Sequence, residues 1–452
     1  MGETPLYDAV KGFAIKENIR FCMPSHKGKD IGSVFDTVFP YDLTELNETD
    51  NLYISNGVIG QAEDLAAKAF KAKSTCFCAS GASACVKAML LLCAKPNDTI
   101  IADRMCHHSA VDAMALLDLN PVWLYPDIMD GFGIPAPPTI GGIKKALEIA
   151  KNPSCVFITS PNYYGLTADI KEISAFLHEK NTPLLIDNAH GAHLAFIDGG
   201  KQHPISQGAS LVTDSAHKTL PVLTGGAFLH INTDKITRTE ALSAISMFST
   251  SSPSYLIMAS LDYARDWAEN NTEAFAKTIE LCNQAKQQIN SIGFSCLDTE
   301  NSDKLRLTIN TSTAGINGKK AYDYLYSKGI ICEMADYRNI VLIISPLNTK
   351  EEFAILINTL QELYNTEKSK ETGLLSFPII KTQSAMSIRQ AVFSQKKEIE
   401  IEKCIGFISG ETITVYPPSV PLLVAGEVIT EKTAKLINEY TGRKYIKIVT
   451  DT

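Results

Sequence analysis

Thr213-Asp214-Ser215-Ala216-His217-Lys218-Thr219-Leu220-Pro221 is the stretch that decides the reading of this chain, because it holds a lysine between two apolar runs. Ala209-Ser210-Leu211-Val212 precedes it and reads as a buried strand. Leu223-Thr224-Gly225-Gly226 follows, then a second buried run, Ala227-Phe228-Leu229-His230-Ile231. A lysine so placed is either salt-bridged or a reactive amine, since burial lowers its pKa and suits it to a Schiff base. Ser215 and His217, on either side of Ala216, add two hydrogen-bonding groups suited to a phosphate. Taken alone, these residues leave the structural and the reactive lysine equally open.

The upstream sequence supplies what a reactive lysine needs. Pro183-Leu184-Leu185-Ile186 reads as a short strand ending at Asp187, followed by Asn188-Ala189-His190. A carboxylate at the end of a parallel strand points into the crevice where α/β folds bind ligands, and there it can keep a pyridine nitrogen protonated. An ordinary turn or capping aspartate is the commoner fate of such a residue, and only the pairing with Lys218 favours the chemical role. Further upstream, Thr75-Cys76-Phe77-Cys78 leads through Ala79-Ser80-Gly81-Ala82-Ser83 into a helix-like run. Strand, small-residue turn and helix start make an anion site. The turn lacks Walker spacing and GxGxxG, which argues against a nucleotide. Ile100-Ile101-Ala102-Asp103 then ends in Arg104-Met105-Cys106-His107, where a flat imidazole suits stacking on a flat cofactor.

With these motifs in order, the chain resembles the Orn/Lys/Arg decarboxylase family, in its short bacterial form without an N-terminal wing domain. The resemblance runs from Thr4-Pro5-Leu6-Tyr7-Asp8-Ala9 and Met23-Pro24-Ser25-His26-Lys27-Gly28 through Asp42-Leu43-Thr44-Glu45-Leu46 and Gly57-Val58-Ile59. It continues in Ser160-Pro161-Asn162-Tyr163-Tyr164-Gly165 and Thr250-Ser251-Ser252-Pro253-Ser254-Tyr255, and ends in Tyr416-Pro417-Pro418-Ser419-Val420-Pro421-Leu422. It implies an α/β, aspartate-aminotransferase-like fold (fold type I), pyridoxal 5′-phosphate as cofactor, and decarboxylation of arginine, lysine or ornithine, a step of polyamine biosynthesis. By the same resemblance, Lys218 carries the cofactor, Asp187 pairs with its ring nitrogen, Ala189 packs on the ring with His190 nearby, and His107 stacks on the opposite face. Gly81, Ala82, Ser83, Ser215 and His217 surround the phosphate, with Thr250 and Ser251 reaching the site from a neighbouring subunit. Cys332-Glu333-Met334-Ala335-Asp336 resembles a motif near the substrate, so Glu333, then Asp336, is the expected partner of a cationic side chain. Where the family has a hydroxyl residue, Glu, Thr and Asn, this chain has Ala82, Asn188, Ala216 and Met105, with Ser25 and Ser419 in place of glycine.

Composition agrees. A chain of 452 residues is long enough for two or three domains, and its net charge of −8 argues against a nucleic-acid partner. No run of about 18 apolar residues suggests a membrane span, and Met1-Gly2-Glu3-Thr4-Pro5 is no secretory signal. Eleven cysteines, several in apolar runs (Cys76, Cys78 and Cys93), fit reduced thiols in a cytoplasmic protein. His190 and His193 lack the company that a metal site requires, so no metal is expected.

Strands are expected near 75–79, 99–103, 122–125, 154–159, 183–187, 210–213 and 226–231, with helices at Ile140 to Ala150 and Ile170 to Lys180. Such alternation predicts a mostly parallel sheet covered by helices. A long helical stretch is expected from Tyr255 to Ile289, bridging to a smaller domain with strands at Lys304 to Ile309 and Asn339 to Ile344. A polar linker from Thr366 to Ser376 and a C-terminal piece with a half-buried strand at Lys396 to Lys403 follow. The expected division is 1–60, an N-terminal segment; 61–265, the large domain; 266–365, the small domain; and 377–452, the C-terminal domain. The expected partners are a small amino-acid substrate and a second copy of the chain, as a homodimer or larger homo-oligomer. Transamination or lyase chemistry on the same fold, or a cofactor-binding protein that has lost activity, are the alternatives.

Overall fold

The computed structural model describes residues 3–366, 376–415 and 420–450. The chain divides into two compact units, Met1–Cys93 with Ser174–Thr272, and Ala94–Ile173 with Glu273–Thr452.

In the first unit the strands lie in the order Ser74–Cys78, Ala227–Ile231, Leu211–Asp214, Leu184–Asp187. Leu184–Asp187 runs parallel to Leu211–Asp214, with Asp187 opposite Thr213. Ala227–Ile231 is antiparallel both to Leu211–Asp214 and to Ser74–Cys78. It follows that Ser74–Cys78, Leu184–Asp187 and Leu211–Asp214 all point the same way. Their C-terminal ends share one edge, the position at which α/β sheets bind ligands. Nearly every residue of these strands is buried, as expected of a sheet covered on both faces. Helices Val58–Phe70, Ala82–Cys93, Arg238–Ser246 and Tyr255–Asn270 supply that cover.

In the second unit Val156–Thr159, Thr99–Asp103 and Asn120–Leu124 form consecutive parallel pairs. The helix Ile140–Ala150 is capped by Thr139, whose hydroxyl accepts from the Gly142 N–H. A four-stranded antiparallel sheet follows, in the order Ser295–Cys296, Arg306–Asn310, Asn339–Ile343, Met334–Ala335. The C-terminal part has its own apolar core, including Ile401, Ile413, Leu423, Ile437, Ile446 and Ile448.

Two expectations need correction. The stretch after Tyr255 is two helices, Tyr255–Asn270 and Thr272–Ile292, because Asn271 leaves helical geometry at φ −124° and ψ 31°. Lys396–Glu400 is a strand paired with Tyr445–Val449, but four of its five residues are exposed, and Ile401–Lys403 turns into a 3-10 helix. The expected linker lies mostly outside the described residues, as do Tyr416–Ser419. Cys76, Cys78 and Cys93 carry free thiols. Among the described residues, no helix is long and apolar enough to cross a membrane.

Candidate active site

Lys218 closes a single 3-10 turn, Ala216–Lys218, that starts one residue, Ser215, after the strand Leu211–Asp214. Its Nζ lies 3.2 Å from His190 Nε2. His190 belongs to the turn after the neighbouring parallel strand, and that turn begins at Asp187. Asp187 is buried, and the Ala189 N–H donates to its Oδ1 at 3.1 Å. Burial pushes the Asp187 carboxyl above its ordinary range, against the pull of Lys218 and the Ala189 N–H, while Asp214 pushes it further up. A buried carboxylate in that condition is short of positive charge, and a protonated ring nitrogen would supply it. Thus the structure brings Lys218, His190, Asp187 and Ala189 together on the turns that follow two neighbouring parallel strands.

The turn suited to a phosphate lies at the same strand edge. Gly81 adopts φ +79°, which favours glycine, and a Cβ there would meet no atom within 4 Å. Its N–H donates to the Gly225 carbonyl at 2.8 Å, tying the start of the helix Ala82–Cys93 to the loop after Lys218. Ala82 is buried and Ser83 half-buried in the first turn of that helix. His217 directs Nδ1 to the Gly226 carbonyl at 3.1 Å, with Ser215 Oγ 3.4 Å away. Burial, helped by Lys218, lowers the His217 pKa against the pull of the Gly226 carbonyl. The Thr219 hydroxyl and Asn188 Oδ1 are buried with no hydrogen-bond partner among the described residues. An amine, a buried carboxylate, small residues and helix-start N–H groups form the donor set that pyridoxal phosphate requires, and the residues fit that group. Thr250 and Ser251 are exposed, and the Thr250 carbonyl accepts from Tyr53 Oη at 2.6 Å.

One part of this region was not anticipated from sequence. Asp214, fully buried, lies 3.0 Å from His203 Nε2 and 3.1 Å from His230 Nε2, both against the same oxygen, Oδ2. Asn188 Nδ2 donates to the other oxygen at 2.5 Å. His203, Asp214 and His230 are the group among the described residues with ligand types suited to a metal. Their spacing is that of hydrogen bonds, and protons satisfy it without a cation.

The remaining expected residues belong to the second unit. His107 is the N-cap of the helix His108–Leu117, its Nδ1 accepting from the Ser109 N–H at 3.3 Å, and its ring lies 4.1 Å from that of His108. Three residues earlier, the buried Arg104 pairs with Glu427 at 3.0 Å, donates to the Leu422 carbonyl, and lies over the Trp123 ring. Glu333 is exposed beside an open pocket of about 460 Å³ that Tyr163, Tyr322 and Asp323 also line. Asp336 is instead engaged in its own turn. It accepts from Tyr164 Oη at 2.8 Å, from the Arg338 and Asn339 N–H groups at 2.7 Å each, and from the Asn339 amide. Burial still pushes its carboxyl upward.

Comparison with known proteins agrees with these observations. Residues 4–311 match the description "Orn/Lys/Arg decarboxylase, major domain", and residues 367–446 match "Orn/Lys/Arg decarboxylase, C-terminal domain". The chain belongs to the Orn/Lys/Arg decarboxylase family. It is a decarboxylase, and its class of reaction is amino-acid decarboxylation. An arginine decarboxylase of Halalkalibacterium halodurans is 32% identical, across 97% of this chain and 93% of the relative. A second, from Bacillus subtilis, is 30% identical across 96% of this chain and 93% of its own length. Among solved structures, a Francisella novicida lysine decarboxylase superposes with a TM-score of 0.84 at 20% identity, covering 99% of this chain and 81% of that one. The fold is therefore the α/β, aspartate-aminotransferase-like fold type I expected from the sequence.

Proposed function

We propose that this decarboxylase acts on a basic L-amino acid, arginine foremost, with pyridoxal 5′-phosphate held at Lys218. The observation that carries the reading is the amine of Lys218 beside His190 and the buried, cation-deficient Asp187. The two arginine decarboxylases of similar full length favour arginine over lysine and ornithine.

When bound, the cofactor supplies an electron sink for the pair left behind as the α-carboxylate departs as carbon dioxide. Lys218 would hold it covalently, and Asp187 would keep its ring nitrogen charged. Gly81, Ala82, Ser83, Ser215 and His217 would receive the phosphate. Decarboxylation replaces the α-carboxylate, lost as carbon dioxide, with a proton at Cα, and Lys218, with His190 at its Nζ, would deliver that proton. His107 would lie against the cofactor ring, and Glu333 would face the cationic end of the substrate.

The protein would work in the cytoplasm as a homodimer or larger homo-oligomer, with Thr250 and Ser251 serving the neighbouring copy. Supporting this, Ile19, Phe21 and Val34 are 88%, 95% and 87% exposed, a cost that burial in a second copy would remove. The four-part division at 1–60, 61–265, 266–365 and 377–452 is part of the same proposal.

The deciding experiment screens all common amino acids plus ornithine for amine products by mass spectrometry. Borohydride-treated protein is peptide-mapped in parallel. The expected result is agmatine with equimolar carbon dioxide and pyridoxyl on Lys218. Keto-acid formation, or pyridoxyl on another lysine, would overturn the reading.

A further inference from the structure

We infer that Asp214 is a positioning residue for the proposed site, setting the turn that presents Asp187 through Asn188 and the turn that presents Lys218 through its own strand end. The inference rests on the proposed roles of Lys218 and Asp187.

The geometry closes a ring of contacts. Asp214 accepts from Asn188, the chain from Asn188 leads in two residues to His190, His190 meets Lys218, and the chain from Lys218 leads back in four residues to Asp214. Each link is short and buried or half-buried, so neither turn can shift without breaking one of them. A second arm reaches further, because Thr75 Oγ1 lies 2.9 Å from His230 Nδ1 and Thr75 belongs to the strand that leads to Gly81.

Proton positions follow from the outer partners. The Ile205 N–H points at His203 Nδ1 at 3.4 Å, so that nitrogen offers a lone pair and Nε2 is left to donate to Asp214. Burial lowers the His230 pKa against the pull of Asp214, and the ring lies between Thr75 Oγ1 and Asp214 Oδ2. Burial opposes the charge on Asp214, but its histidine partners outweigh it and hold the carboxyl below the usual range. A buried carboxylate ringed by three donors is a rigid hub, because any displaced donor is left unsatisfied. A purely structural hub would not need Asn188 as a member. Asn188 is the residue beside Asp187, and its other amide atom, Oδ1, has no partner among the described residues.

The test uses the whole chain with two substitutions, Asp214→Asn and Asn188→Ala. The second leaves both histidine bonds to Asp214 in place and so remains informative where the first fails to fold. In cofactor-free protein, Lys218 is labelled with an amine reagent across a range of pH and read by peptide mass spectrometry, with the exposed Lys432 of the other unit as the control. The groups facing Lys218 and Asp187 in this comparison are His190, Asp214 and His217. Displacing Asp187 weakens its hold on the ammonium, so Lys218 should be labelled about threefold faster or more at a given pH, equal to roughly half a pKa unit. Lys432 should be unchanged. Affinity for added pyridoxal 5′-phosphate should fall about tenfold, or roughly 1.4 kcal/mol. A wild-type labelling profile at Lys218 in Asn188→Ala would overturn the inference. A wild-type protein that takes up no pyridoxal phosphate would instead refute the proposed function, and the labelling comparison would stand apart from it.

Discussion

Glu63 carries the most exacting prediction. It lies on the helix Val58–Phe70 with no exposure to solvent, on the same face as Ile59, Ala66 and Phe70. One carboxyl oxygen accepts the Phe77 N–H at 2.9 Å, and the other is 3.9 Å from Arg238, whose closer partner is Asp64 at 2.5 Å. Burial dominates, and the carboxyl is pushed from 4.5 up to about 8. The folded state therefore binds this proton more tightly than the unfolded chain. The stabilisation is present in full below pH 4.5 and is lost as the pH climbs through about 8. At about 1.4 kcal/mol per unit, the whole excursion is worth about 5 kcal/mol. Glu63→Gln keeps the acceptor for Phe77 and removes the titration. Urea unfolding of both proteins at intervals from pH 5 to 9 should give a wild-type stability that falls faster with pH, by close to one proton's slope. Parallel pH dependences would refute the reasoning, whatever the absolute stability of the variant.

Four further outcomes are expected. Asp187→Ala should fold and retain weak cofactor binding but turn over two or more orders of magnitude more slowly, equal to about 3 kcal/mol or more of lost transition-state stabilisation, read in kcat at saturating substrate. Mixing inactive Lys218→Ala chains with inactive Thr250/Ser251 double-alanine chains should restore part of the activity, and no recovery after confirmed subunit exchange would argue for sites built within one chain. Glu333→Gln should raise KM for the basic substrate about tenfold to a hundredfold, roughly 1.5–3 kcal/mol for a charge-assisted hydrogen bond. Asp336→Asn should lower the melting temperature more than it alters KM, because Asp336 is bound into its own turn.

What the sequence revealed and what it hid have separate physical causes. The strands around Asp103, Asp187 and Lys218 were legible because a parallel sheet buried on both faces needs unbroken apolar runs between polar ends. The helix break at Asn271 was not, since polar and apolar spacing continues across it and only the backbone angles change. Lys396–Glu400 was judged by its isoleucine, although pairing with Tyr445–Val449 leaves most of the strand in solvent. Glu63 left a readable sign, an acid on the apolar stripe of an amphipathic helix. His203 left none, because its partners Asp214 and His230 are brought to it by strand pairing rather than by spacing along the chain. The same holds for Arg104 and Glu427, which are far apart in sequence.

The Arg104–Glu427 pair bears on how this architecture can be recombined. The guanidinium sits just before His107 and finds its carboxylate and a carbonyl, that of Leu422, only in the C-terminal region. Both side chains are almost wholly buried, at 4% and 1% exposure, and losing one partner of such a pair typically costs about 3–5 kcal/mol. A C-terminal region grafted from a relative would have to bring an acid to the place of Glu427 and a carbonyl to that of Leu422, or leave a buried cation unpaired. The two matched regions are thus bound to change together, and a swap that respects only their boundaries would fail at this single contact.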